Sequence, residues 1–356
     1  MSSGRPWPSI VAAAIVAGAL SFALGRRSAI DTPRPPPTHA LASQLAGIDP
    51  VMLAPHSTRL VLAADVARLR SAPALAPYFA QWSADPSCQA RIATRMRRIV
   101  AFARDATLSD LVFVFDGPVS RDELSQCVRD GDRARARARA VEYRGVSLAQ
   151  HAVERDPSLL PTADVTELAQ LTPSLLIAGP SGAVRATIDR ALATPSGTSE
   201  ALIAPLKTLS DRLSSGYSFA LVSLVGPRGA GRLESLLSNV EGFAVGVTVN
   251  DRLRAEAILA CADFDAPRSV ADVLTLQQAA LAREPALAPV RALIERGTIE
   301  RRAADVRASI DLSADDVSLT ILALRELARR MAQSSEAPND ASANASASDA
   351  AASDAP

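Results

Sequence analysis

The residues with the plainest chemical potential lie in "GDRARARARAVEYRG", residues 131–145. There Arg133, Arg135, Arg137 and Arg139 occupy every second position. In a strand, alternate side chains share a face, so all four would form one cationic stripe. In a helix, the advance of about 100° per residue would split them between opposite sides. A one-sided stripe would suit the phosphates of lipid, lipopolysaccharide or nucleic acid. Three features favour a solvated loop or an exposed strand edge, where charge discourages unwanted pairing. No aromatic residue interleaves the arginines to stack on bases. Asp130, Asp132 and Glu142 offset part of the charge, and the run starts at Gly131, just past a predicted helix.

Other reactive residue types are sparse. The cysteines are Cys88, Cys127 and Cys261, and the histidines are His39, His56 and His151. Neither set has metal-ligand spacing, so no metal or cofactor is expected. His56 adjoins Ser57, but there is no G-x-S-x-G elbow and no recognisable acid–His–nucleophile order, so no catalytic residue is assigned. Asp65 ends an apolar run and reads as a helix cap rather than a catalytic acid. "GPRGAGR" (226–232) stands where a phosphate loop would, between a strand and a helix. It lacks GxxxxGK[ST], and the chain's single lysine is Lys207, so a tight turn is expected.

The elements that would position these residues follow from pattern. A helix is predicted over 86–104 after Asp85-Pro86, with Cys88, Ile92, Met96, Ile99 and Ala103 on one face. A second helix, capped by Ser120, carries Leu124, Cys127 and Val128 inward. In an oxidising compartment Cys88 and Cys127 would then be placed to form a disulfide. The alternative is three buried thiols packing as small apolar groups. Cys261 has no evident partner and is expected to be a buried free thiol.

The 356 residues suffice for one large or two ordinary domains. Hydrophobic residues make up 48% and aromatics only 4%, so the cores must be built from Ala, Leu, Val and Ile. The formal net charge is zero, which gives no general attraction to nucleic acid.

Residues 1–30 read as an address. "PWPSIVAAAIVAGALSFALG" (6–25) carries no charge, and as a helix it would span about 30 Å, a bilayer core. Arg5, Arg26 and Arg27 flank it and Trp7 sits at an interfacial position, which predicts a membrane anchor. Ala23-Leu24-Gly25 also fits a signal cleavage site, so a cleaved secretory signal is the alternative. Either way the body is expected outside the cytoplasm: in the periplasm on the inner membrane if anchored, or periplasmic or secreted if cleaved. Residues 31–40, "DTPRPPPTHA", read as a stiff spacer. Residues 333–356 lack large apolar side chains, carry only negative charge and are expected to be disordered.

Between these ends two segments match. Phe115–Leu124 and Phe264–Val273 both read F-D-[GA]-P-x-S-x-x-[DE]-[LV] without a gap. In each, an apolar strand meets a turn, and Ser120 or Ser269 is predicted to cap a helix with Glu123 or Asp272 three residues on. The expected fold class is therefore α+β, with two tandem related domains at 41–197 and 215–332. Each would be an antiparallel or mixed sheet with helices on one face, joined by a connecting helix at 198–214. A hairpin is predicted within 241–264, turning near Asn250-Asp251.

With the apolar N-terminus, "LAPHSTRLVLAADVARLRSAP" (53–73), "YRGVSL" (143–148) and "LLIAG" (175–179), the chain resembles uncharacterised membrane-anchored envelope proteins of myxobacterium-like bacteria. Asp65 and Leu69 fill the Asp-x-x-x-Leu step that follows their first strand. The resemblance implies two tandem α+β domains and no assigned chemistry. The function expected is non-enzymatic binding or scaffolding at the membrane, with an envelope protein or lipid as partner and no nucleic acid. The alternative is a receptor holding a lipid or other hydrophobic ligand in a cleft. An enzyme with an unrecognised site comes third.

Overall fold

Runs such as "RIVAFA" and "VFVFD" are too densely apolar for a strand with one wet face. In the computed structural model they lie near the middle of an antiparallel sheet with 12 strands among the described residues, order β11-β12-β10-β9-β8-β1-β2-β3-β7-β6-β5-β4. The structure describes residues 45, 48–76, 79–80, 83, 88–105, 108–124, 137–152, 165–193, 204–213, 216–224, 239–263 and 265–320. The strands are β1 (Leu60–Asp65), β2 (Arg98–Ala103), β3 (Val112–Asp116), β4 (Arg137–Tyr143), β5 (Val146–Ala152), β6 (Val165–Thr172), β7 (Leu175–Pro180), β8 (Phe219–Ser223), β9 (Val240–Val249), β10 (Leu253–Cys261), β11 (Thr298–Arg302) and β12 (Asp305–Leu312). The helices are α1 (Val66–Ser71), α2 (Cys88–Arg95), α3 (Ser181–Ala193), α4 (Ala204–Asp211), α5 (Ala266–Arg283) and α6 (Arg291–Arg296). Residues 121–124 and 314–320 are also helical.

The strand order falls into two parallel accounts. On one side of the centre it runs β1-β2-β3-β7-β6, and on the other β8-β9-β10-β12-β11. The β5-β4 hairpin extends the first series. The series meet where β1 pairs antiparallel with β8, Leu62 opposite Leu221. The sheet thus continues across the expected boundary at 198–214, while α4 occupies 204–211 within it.

Helices cover both faces, which corrects the expectation of helices on one. Val61, Val100, Val114 and Ile177 face α3 and α4, where Val184, Ile188, Leu206 and Leu209 are buried. The alternate residues Leu62, Ile99, Phe113 and Phe115 pack with Ile92 of α2 and with Leu124. α5 packs through Ala266 and Val270 on the side of Leu259 and Val306, opposite Ile258. The physical reason is the continuous burial of β2 and β3, whose residues must find apolar neighbours on two sides. Each fully buried aliphatic side chain contributes about 1.5–3 kcal/mol.

Two further expectations need correction. The helix predicted over 86–104 ends at Arg95, and Ile99 and Ala103 belong to β2, paired with β1. The β-branched pair Ile99-Val100 fits an extended, doubly buried strand better than a helix continuation. Ser269 is not a cap, because α5 begins at Ala266. Asp263 instead accepts from the backbone N–H groups of Asp265 and Ala266 at 2.9 and 2.6 Å, and the Ser269 hydroxyl donates to the Ala266 carbonyl.

Ser120 does cap its helix. Its Oγ accepts from Glu123 N at 3.1 Å, and the Glu123 carboxylate accepts from Ser120 N at 3.0 Å. Ser313 and Asp316 repeat this reciprocal box at the helix after β12, at 3.2 and 3.1 Å. The predicted hairpin is present as β9 and β10, turning through residues 250–252. The turn from β4 to β5 puts Arg144 and Gly145 at φ 49° and 78°, both left-handed as a tight hairpin requires. Among the described residues no helix is long and apolar enough to cross a membrane. The segment 6–25 lies outside them.

Candidate functional site

The most elaborate polar cluster is built where α3 starts directly after β7. Pairing aligns four residues on adjacent strands: Gly179 of β7, Glu167 of β6, Gln150 of β5 and Arg139 of β4. Glu167 is fully buried in this row. Its Oε1 accepts from Gln150 Nε2 at 2.7 Å, Ser181 Oγ at 2.8 Å and Arg185 Nη2 at 2.8 Å, while Oε2 faces Arg185 Nε at 3.3 Å. Ser181 and Arg185 come from the first turns of α3, whose positive end also favours the carboxylate.

A second layer surrounds that pair. The Arg185 guanidinium lies 5.2 Å from the centre of the Tyr143 ring, a cation–π distance. The Tyr143 hydroxyl donates to Asp189 at 3.0 Å, and Arg144 pairs with Asp189 at 3.1 Å. Arg190 donates to His56 Nε2 at 3.3 Å, which makes that nitrogen an acceptor. Hydrogen bonding to Glu167 pushes the Arg185 pKa up, and hydrogen bonding to Asp189 pushes that of Tyr143 up. Donors from three side chains converge on one oxygen of Glu167, so the carboxylate is a fastener between helix and sheet.

The same face of the sheet holds a second buried glutamate. Glu256 of β10 stands opposite Gly246 of β9. The Tyr217 ring lies over Gly246 in the space an added Cβ would take, and its hydroxyl donates to Glu256. Arg307 of β12 approaches Glu256 at 3.7 Å. A third buried carboxylate, Asp110, accepts from the backbone and side chain of Arg104. Sequence pattern did not single out any of these three acids. The one available signal was an isolated acid inside an otherwise strand-like run, as in "VTELAQLT" and "LRAEAILAC".

The residues singled out from sequence are dispersed. Arg137 and Arg139 lie on β4, an edge strand among the described residues, with Arg139 exposed, while Arg133 and Arg135 lie outside the described residues. Cys88 is the first residue of α2 and Cys127 lies outside the described residues, as does the bridge expected between them. Cys261 is a buried free thiol whose pKa is raised by burial. Asp65 caps α1, accepting from Arg68 N at 2.8 Å. His151 stands on β5 in register with Ala138 and Thr166, distant in the chain from His56. "GPRGAGR" and His39 fall outside the described residues. Among the described residues no group of three or more His, Cys, Asp or Glu side chains is placed to hold a metal ion. An open depression of about 400 Å³ lies between α5 and α6, lined by Ala279, Ala282, Arg283, Arg291 and Glu295.

No family model matches the chain, and no curated protein matches it. Among solved structures it is similar to one described as crystal form I of TP0453, with 11% identity and a TM-score of 0.40, covering 78% of this chain and 98% of that one.

Proposed function

We propose that this chain is a membrane-anchored envelope protein that acts by binding or scaffolding rather than by catalysis. In this reading it is built of two related α+β units at 41–197 and 215–332. Segment 6–25 is the anchor, 31–40 the spacer and 333–356 a disordered acidic tail. The body lies in the periplasm and its partner is an envelope protein or lipid. It belongs with the uncharacterised envelope proteins that it resembles in sequence.

The observation that carries the reading is how the buried acids are used. Glu167 and Glu256 are each bound to an arginine or a tyrosine that ties one element to another, and Asp110 holds Arg104 across the turn between β2 and β3. Groups engaged in this way hold a frame rigid, and a rigid frame suits a platform. The repeated strand order on either side of β1 and β8 supports the two-unit reading.

A second reading, a receptor for a hydrophobic ligand, draws on the open depression between α5 and α6. Leu276 of α5 is 69% exposed, three residues before Ala279, which lines that depression. The test is purification of the tagged full chain from envelope extract, with protein and lipid analysis of the eluate. A stoichiometric protein partner supports scaffolding. Stoichiometric bound lipid shifts the assignment to the receptor, and neither would contradict both.

A further inference from the structure

The two edges of the sheet differ in a way that points to a partner. β11 is five residues long; its Arg302 pairs with its own Glu300 at 3.1 Å, and α5 reaches the turn leading into it through Gln278 and Gly297. Short length and self-neutralised charge blunt an edge against strand addition. β4 is seven residues long and pairs with β5 in unbroken register from Arg137–Ala152 to Tyr143–Val146. Among the described residues no strand pairs with its outer side, which leaves a regular row of backbone donors and acceptors.

The charge along β4 has one sign on the α3 side. Arg139 is exposed there, opposite Gln150, and makes no ion pair among the described residues. The nearby acids Glu167 and Asp189 are already engaged by Arg185 and Arg144. Glu142 falls on the other side of the strand by alternation. Arg137 occupies the alternate position before Arg139, roughly 6.7 Å away along the strand.

We propose that the outer edge of β4 binds an extended acidic polypeptide segment of a partner protein as an added strand. Backbone hydrogen bonds supply the docking, and Arg139 reads an acidic side chain of the added strand. A polypeptide is favoured over lipid or nucleic acid because only its backbone repeats in step with the strand edge. The proposal rests on the binding reading above and adds the partner's chemistry and its seat.

The probe is a labelled acetyl-(Thr-Glu)4-amide peptide titrated onto the full chain in detergent. Saturable binding is expected, with no binding of the (Thr-Lys)4 counterpart. Arg139→Glu should weaken binding at least tenfold with an unchanged circular dichroism spectrum, and Arg139→Gln by a smaller factor. N-methylation of alternate peptide amides, which keeps the charge but removes donors, should also cost at least tenfold. Equal binding of the N-methylated peptide, no effect of Arg139→Glu, or equally tight binding to phosphatidylglycerol vesicles or to an oligonucleotide would overturn the proposal. A protein partner that still copurified with Arg139→Glu would overturn this seat while leaving the scaffolding reading standing.

Discussion

Glu167 and Glu256 lie buried on the same face of one sheet and are held by different means. Glu167 sits beneath a helix, and its charge meets a guanidinium at 2.8 Å together with a hydroxyl and an amide. Glu256 lies under an aromatic ring seated on a glycine, with its guanidinium at 3.7 Å. The first arrangement fastens α3 to β5 and β6. The second fastens the segment before β8 across β9 to β10, next to the pair that joins the two series of strands. The difference teaches that a buried acid can secure a sheet either by full ionic satisfaction from above or by a tyrosine brought in sideways through a missing Cβ. It also predicts different weak points.

The largest effect should follow Glu167→Ala. It strips Arg185 and Gln150 of their common acceptor and should cost about 3 kcal/mol, the low end for a buried pair because Arg185 keeps a third of its surface in water. Urea unfolding would measure it, and Arg185→Met in the same background should restore part of the loss. In the other region the sensitive position is the glycine. Gly246→Ala forces a methyl into the Tyr217 ring and should cost about 1–3 kcal/mol. Tyr217→Ser should make that same alanine nearly neutral, a coupling readable by a double-mutant cycle.

Much of the frame was legible before the structure. The β9–β10 hairpin, the Ser120 box and the Asp65 cap all followed from apolar runs ending at turn or capping residues. The matched box at 115 and 264 pointed to repetition for a reason that does not hold in detail. Phe115 lies within β3, whereas β10 already ends at Cys261, so the boxes are out of phase with the elements. What repeats is strand order, which is a pattern of long-range pairing and leaves little trace in a short motif. The second face of helices was missed because alternation was sought where the central strands are apolar on both sides. The buried glutamates were missed because an acid in a strand reads as solvent-facing unless its partners, 18 residues away for Arg185 and 39 for Tyr217, are known.

Smaller effects separate the two helix starts. Ser120→Ala should cost about 1 kcal/mol, since it opens a capping box, while Ser269→Ala should stay within about 0.5 kcal/mol. Acid titration sharpens the same contrast. The Ser120 backbone N–H, then Arg95, hold the Glu123 pKa below its ordinary value. A carboxylate lowered by folding stabilises the protein above its unfolded-state pKa, and that contribution fades as pH falls through the lower folded value. Glu123→Gln should therefore reduce stability at neutral pH and leave it nearly unchanged at the acid end, with a modest amplitude because the side chain is half exposed. The smallest effect is expected at the edge: Arg133, Arg135, Arg137 and Arg139 changed together to Ser should leave the melting temperature nearly unmoved.

The central claim is a body held outside the cytoplasm by its N-terminal segment. Its most direct test is protease accessibility of the full chain in spheroplasts and intact cells, combined with alkaline extraction of membranes. The account predicts a chain that sediments with membranes, resists alkaline extraction, and is digested in spheroplasts but not in intact cells. Full-length protein recovered intact from the cytosol of protease-treated spheroplasts would contradict it.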